Sequence, residues 1–143
     1  MKKKEKKGSY QLKIRCPYCG SPAILRSADG IYHNNSNNTN LYVCRNYPEC
    51  DSYVRVHVGT NIPAGTMANP ELRALRAEAH RHFDRIHKNG LMDKEGAYRW
   101  LADTLCVPLS QAHIGYLGEY NCKVVIEKSK ELMENKRKGA KAA

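Results

Sequence analysis

From residue 10 the chain alternates apolar and polar side chains in short runs, and near residue 70 the period changes. Tyr10, Leu12 and Ile14 alternate with Gln11, Lys13 and Arg15, while Val54, Val56 and Val58 alternate with Tyr53, Arg55 and His57. A period of two puts one set on each face of a strand. Shorter strand-like segments run over Ala23 to Ser27, Ile31 to His33 and Leu41 to Cys44. Asp29-Gly30 is a turn signal, and Asn34 to Asn40 forms a polar tip. After Asn69-Pro70-Glu71, a helix-start signature, Leu72, Leu75, Ala79, Phe83 and Ile86 recur at three and four residues. That stripe predicts a helix to about His87. Asp93 caps a second helix with Tyr98, Trp100, Leu101, Thr104 and Leu105 inside, ended by Pro108. Ser110 to Tyr116 reads as a short helix. A longer one begins near Glu119, with Cys122, Val125, Ile126, Ser129, Leu132 and Met133 on one face.

The pattern predicts an α+β chain in five parts: a basic tail over 1–9, a small sheet over 10–58, a connector over 59–69, three to four helices over 70–135 and a second basic tail over 136–143. A sheet that small needs help to fold. Cys16-Pro17-Tyr18-Cys19-Gly20 and Cys44-Arg45-Asn46-Tyr47-Pro48-Glu49-Cys50 supply it. Two turns each offering two thiolates match one structural, tetrahedral Zn²⁺ held by Cys16, Cys19, Cys44 and Cys50. Pro17 stiffens the first turn, backbone N–H groups point at its sulfurs, and Gly20 is free to take a positive φ. The alternatives are a redox pair, which calls for a helix where Gly20-Ser21-Pro22 stands, and disulfides, which call for a secreted chain. The zinc reading makes the 10–58 segment a zinc ribbon.

Charge sharpens the picture. The net charge is +10, and it resides in the ends, because residues 16–122 sum to zero. Basic ends attract nucleic acid without reading it. The basic start is followed by no apolar stretch of signal-peptide type, and no apolar run approaches ~20 residues, so the expectation is a cytoplasmic protein with no membrane partner. Six of the nine tyrosines fall between residues 10 and 53, interleaved with arginines. If the valines of the last strand face inward, Tyr53, Arg55 and His57 face out. Lys13, Arg15 and Arg26 could join them, and Tyr18, Tyr42, Arg45 and Tyr47 lie near the knuckles. Tyrosine stacking on bases and arginine pairing with phosphates suit nucleic acid, single-stranded DNA first.

Two other patterns carry less. Trp100 to Leu117 has the rhythm of a helix-turn-helix, with Cys106 where a glycine often sits, but few charges face a DNA backbone and ordinary packing is the better account. His80, Asp84 and His87 share a helix face without a metalloprotease spacing. No nucleophile or paired carboxylate points to a reaction, so the expectation is a protein that is not an enzyme and takes no small-molecule substrate.

Two resemblances add to this reading. Cys16, Pro17, Cys19, Gly20, Cys44, Tyr47, Pro48 and Cys50 match the pattern of the C-terminal zinc ribbons of type IA DNA topoisomerases, over roughly residues 10–58. That resemblance implies contact with single-stranded DNA through aromatic and basic side chains, without the catalytic domain. The Asn-rich tip departs from it by lengthening the hairpin. The whole chain resembles an uncharacterised family of small zinc-finger-containing proteins of bacteria and phages. The residues that carry this are the four cysteines, Asn61-Ile62-Pro63-Ala64-Gly65-Thr66-Met67-Ala68-Asn69, Glu71-Leu72-Arg73, Ala79-His80 and His113-Ile114-Gly115. It implies a phage or prophage setting, and with it an alternative function: binding a host protein to inhibit or redirect it.

Overall fold

The computed structural model describes residues 12–142, with side chains as far as Arg137. The basic tail over 1–9, and most of the one over 136–143, therefore lie outside the described residues or side chains. The chain divides into two compact units, one ending at Pro70 and one beginning at Glu71. The first holds three strands, β1 (Ala23–Ser27), β2 (Asn40–Cys44) and β3 (Tyr53–Arg55), in an antiparallel sheet of order β1-β2-β3. The second is helical: α1 (Pro70–Lys88, its first residue at the boundary), α2 (Lys94–Leu105), two 3₁₀ turns at Leu109–Gln111 and Ile114–Tyr116, and α3 (Glu119–Ala142). The chain is α+β.

β2 organises the sheet. Its residues from Leu41 to Cys44 are all buried, because both faces of this central strand are covered. On one face Tyr42 and Cys44 pack with Cys16, Ala23, Val56 and Met67. On the other, Leu41 and Val43 pack with Ala28, and Ile31, Tyr32, Tyr47 and Tyr53 close over them. The period of two along β2 therefore sorts its side chains into two separate small cores.

Three predicted strands come out differently. Of the first, Tyr10 and Gln11 lie outside the described residues. From Leu12 to Arg15 only Arg15 pairs, in a single bridge to Pro22. Pro22 has no N–H with which to extend a ladder. Ile31 to His33 is not a strand, because the Asp29-Gly30 turn continues through it, with Ile31 and Tyr32 both donating backbone N–H to the Ala28 carbonyl. The last strand ends at Arg55 instead of Val58. The chain is already reversing there: Thr60 N–H reaches the His57 carbonyl, and Gly59 sits at φ +76°. Val56 is buried as expected, but Val58 is 93% exposed.

The segment expected to be a connector is part of the ribbon. Residues 59–68 run back along β3, with His57 N–H on the Ile62 carbonyl, Ala64 N–H on the Arg55 carbonyl, and a reciprocal pair between Tyr53 and Ala68. Met67 and Ala68 are buried, and Met67 belongs to the core on the cysteine side. Pro63 and Gly65 keep this return from becoming a regular strand, which is why its composition reads as loop.

In the helical unit the predicted stripe of α1 is buried at Leu72, Ala79, Phe83 and Ile86, and Arg76 joins it, donating from Nε to the Leu117 carbonyl at 3.0 Å. Asp93 caps α2, its carboxylate accepting from Gly96 N–H at 2.7 Å. The fully buried α2 positions are Ala97, Leu101 and Ala102; the larger Tyr98, Trp100 and Leu105 sit half-buried around them. Small residues let α2 approach its neighbours closely. The Phe83 and Tyr98 rings meet edge to face at 5.1 Å between centroids. Cys106 takes the left-handed conformation at the C-terminus of α2, the role expected of it in a turn. The expected Ser110–Tyr116 helix is instead two 3₁₀ turns tied down by buried Ala112, Ile114 and Leu117, so no recognition helix follows α2. α3 buries Cys122, Val125, Ile126 and Ser129. No helix among the described residues is long and apolar enough to cross a membrane.

Because Met67 is core and not linker, Met67→Ala should destabilise the zinc-loaded protein by about 2–4 kcal/mol. Urea unfolding followed by hydrogen exchange of the β2 and β3 amides reads this. An unchanged midpoint would mean the return segment does not pack.

Candidate metal centre and the adjoining sheet face

The first knuckle is shaped chiefly by backbone hydrogen bonds. Cys16 N–H bonds the Ser21 carbonyl at 2.8 Å and Gly20 N–H returns to the Cys16 carbonyl at 2.9 Å, so the two cysteines face one way. Gly20 adopts φ +77°, the conformation its place in the pattern predicts. The second knuckle turns helically, Cys50 N–H reaching the Asn46 carbonyl at 3.0 Å. The register Ala23↔Cys44 and the bond from Arg45 N–H to the Pro22 carbonyl bring the two knuckles together.

All six cysteines of the chain are free, and four converge. The sulfurs of Cys16, Cys19, Cys44 and Cys50 all lie within 4.8 Å of one another. The closest contacts cross between knuckles, Cys16 to Cys50 at 3.6 Å and Cys19 to Cys44 at 3.4 Å. A tetrahedron with Zn–S bonds of ~2.3 Å has edges of about 3.8 Å, so these residues fit the ion. The site binds one structural zinc through four thiolates, with all four positions filled by protein. Among the described residues these cysteines form the group gathered to ligand distance, whereas His80, Asp84 and His87 are not so gathered.

Partners around the sulfurs complete the site. Tyr18 N–H points to Cys16 Sγ and Asn46 N–H to Cys44 Sγ, each at 3.4 Å, as the knuckle pattern predicts. The side chain of Asn46 adds a link the motif did not reveal, donating to Cys19 Sγ at 3.6 Å and Ser21 Oγ at 2.8 Å. Its signal is only a polar residue two positions after Cys44. Ser52 is wholly buried, and its hydroxyl makes no hydrogen bond of ordinary geometry while favouring the Cys16 thiolate. Such donors disperse thiolate charge and orient ligands.

The thiols differ in acidity. Backbone and hydroxyl donation from Ser21, then contact with Cys44, bring Cys19 down to about 6. Cys16 is lowered too: burial acts against this, but the backbone N–H groups of Cys19 and Tyr18 outweigh it. Burial, then hydrogen bonding to Cys16, pushes Cys50 far up, and burial raises Cys44 as well.

The adjoining sheet face collects some of the expected binding residues. Directly opposed residues share a face, and the register gives two rows, Arg26–Leu41–Arg55 and Ile24–Val43–Tyr53. Arg26 and Arg55 are exposed, and Ile24 is 47% exposed. Tyr53 is half-buried and meets the rings of Tyr32 and Tyr47 at 6.3 and 6.4 Å, so Tyr47 joins this face. Tyr32 is an addition that the strand misreading at Ile31 to His33 concealed. Tyr42 is a correction: it is 0% exposed, a core residue whose hydroxyl donates to the Asn61 carbonyl and accepts from Leu12 N–H. It occupies the opposite face from Val43 because the strand alternates. Arg15 ties down the knuckle, donating from Nη1 to the Gly20 carbonyl at 2.9 Å, and the exposed Tyr18 accepts from Asn69 N–H. Lys13, Arg45 and His57 are exposed and lie outside the two rows, His57 because the strand ends before it.

Zinc takes thiolates, so any proton still on a ligand must leave on binding. Raised Cys44 and Cys50 keep theirs at neutral pH, and in an unfolded ribbon thiols near ~8.5 do the same. Zinc affinity should therefore rise with pH between 6 and 8, by at least roughly a hundredfold per unit, because two or more protons are displaced. Chelator competition across that range measures it, and a flat profile would contradict the four-thiolate site.

Residues 12–132 match the family model DUF3268, described as a zinc-finger-containing domain. No curated protein and no solved structure matches the chain significantly. With its four cysteines gathered at zinc-binding distance and the match covering most of its length, the chain belongs to the DUF3268 family of zinc-finger-containing domains.

Proposed function

We propose that this protein binds nucleic acid without catalysis, single-stranded DNA in preference, through the β-sheet face beside the metal. The observation that carries the reading is the pair of rows on that face. Arg26 and Arg55 stand two strands apart, about 10 Å, with Leu41 buried between them. That separation lets two guanidinium groups hold successive backbone phosphates. In the next row Ile24 and Tyr53 offer apolar and aromatic surface to bases, supported by Tyr47 and Tyr32. Unpaired bases present π-faces that a duplex hides, which is the reason for preferring a single strand. The zinc holds the strands that carry these residues, and the lysines of residues 1–9 and 136–143 add attraction that depends on salt and not on sequence. The likeness to topoisomerase ribbons supports the same choice, and a metal with four protein ligands supports a structural role for the ion.

A protein partner is the second reading, favoured by the helical unit. Leu109, Tyr116 and Tyr120 are exposed there, and the nucleic-acid model gives them no task. In the phage or prophage setting that the family resemblance implies, the partner is a host protein.

Fluorescence anisotropy with labelled single-stranded DNA over a salt series tests the first reading. Each phosphate contact on a single strand contributes about 0.7 to the slope of log affinity against log salt, so Arg26→Ala with Arg55→Ala should make the slope shallower by about 1.4. Zinc content should stay at one per chain. If affinity and slope are both unchanged, this face is not the site, and a partner that survives nuclease treatment of host lysate becomes the better account.

A further inference from the structure

The Asn-rich tip, an apparently featureless loop, is folded by two of its own side chains. Asn35 donates to Asp29 Oδ1 at 2.7 Å and accepts from Thr39 N–H at 2.7 Å, and Asn34 accepts from Ser36 N–H at 3.0 Å. The tip's remaining amides are turned elsewhere. Asn37, Asn38 and Asn40 line a cavity of about 340 Å³ whose other wall is the reversal after β3, with Arg55, Val58 and Asn61. A volume of that size is at the small end of the range for ligand sites, ~300–1,000 Å³. Among the described residues the side-chain amides of these four asparagines make no hydrogen bond, so their donors and acceptors face the cavity or solvent unused.

We infer that this cavity receives one unstacked base of the bound strand, adenine in preference, while Arg55 at its rim holds the adjoining phosphate. Three features suit this occupant. A carboxamide presents a donor and an acceptor side by side, the complement of adenine's N6 amine and its neighbouring ring nitrogen. Val58, 93% exposed and lining the cavity, gives a base face something apolar to rest on and accounts for a β-branched residue left in solvent. Arg55 belongs both to the cavity lining and to the Arg26–Leu41–Arg55 row, so the opening adjoins the end of that row. The cavity is polar and carries no carboxylate, which suits a neutral base next to a phosphate and disfavours a cationic ligand. The inference rests on the nucleic-acid reading and deepens it: the sheet face supplies affinity, the cavity supplies choice of base.

The test compares labelled oligodeoxyadenylate and oligothymidylate of about twelve nucleotides on zinc-loaded, full-length protein. Wild type should bind the adenylate roughly tenfold more tightly. Asn37→Ala with Asn61→Ala should erase that difference by weakening the adenylate alone. Val58→Trp, which fills the opening from an exposed position, should do the same without removing an amide. Cobalt substitution, reporting four-thiolate coordination, verifies that each variant keeps its metal centre. If wild type shows equal affinities, or both variants keep the preference, the cavity inference is overturned. In that event a retained effect of Arg26→Ala on both strands leaves the sheet-face reading standing. If neither strand binds wild type above the attraction of the tails, both readings fall together.

Discussion

Four sulfur–metal bonds hold the first unit together. Its sheet has strands of five, five and three residues, and each of its two cores has only a handful of wholly buried side chains. A sheet of that size is marginal in water, and the closure of two distant knuckles on one ion replaces much of what burial does in larger domains. Cys44 shows how closely metal and fold are joined: it ends β2, pairs with Ala23 of β1 and ligates zinc, so moving it disturbs register and coordination together.

From that anchor the rest of the unit follows through β2. Alternation places Tyr42 and Cys44 toward the metal and Met67, and Leu41 and Val43 toward the tyrosines. The face that carries Arg26 of β1 and Arg55 and Tyr53 of β3 is therefore the one turned away from Tyr42 and Cys44, with Leu41 and Val43 of β2 between them. Both faces of β2 contribute to stability: Tyr42 and Cys44 on the cysteine side, Leu41 and Val43 beneath the tyrosines on the other, while Arg26 and Arg55 at the margins of that second face are exposed.

Where local chemistry determines structure, it was legible from the residues. Cys-Pro-x-Cys-Gly demands a knuckle, Asp93 demands a cap, and the α1 stripe demands a buried face; all three are present. The misreadings arose where tertiary pairing overrides local pattern. Val58 alternates correctly with Val54 and Val56, yet the reversal at Gly59 leaves it outside. Residues 59–68 look like loop because Pro63 and Gly65 prevent a ladder, yet Met67 completes a core. Tyr42 resembles the other tyrosines in sequence, and only its register with Leu25 and Val54 shows that it points inward. Asn46 beside the sulfurs, and the four asparagines around the cavity, depend on contacts 20 or so residues apart, which no spacing rule encodes.

Zinc, not apolar burial, decides whether the ribbon exists. Hydrogen exchange of the full-length protein, zinc-loaded and after chelation, tests it at the level of single segments. The amides of β1, β2, β3 and the 59–68 return should lose protection together when the metal is removed, while α1, α2 and α3 keep theirs. Sheet amides equally protected in both states would show instead that the ribbon folds without its metal.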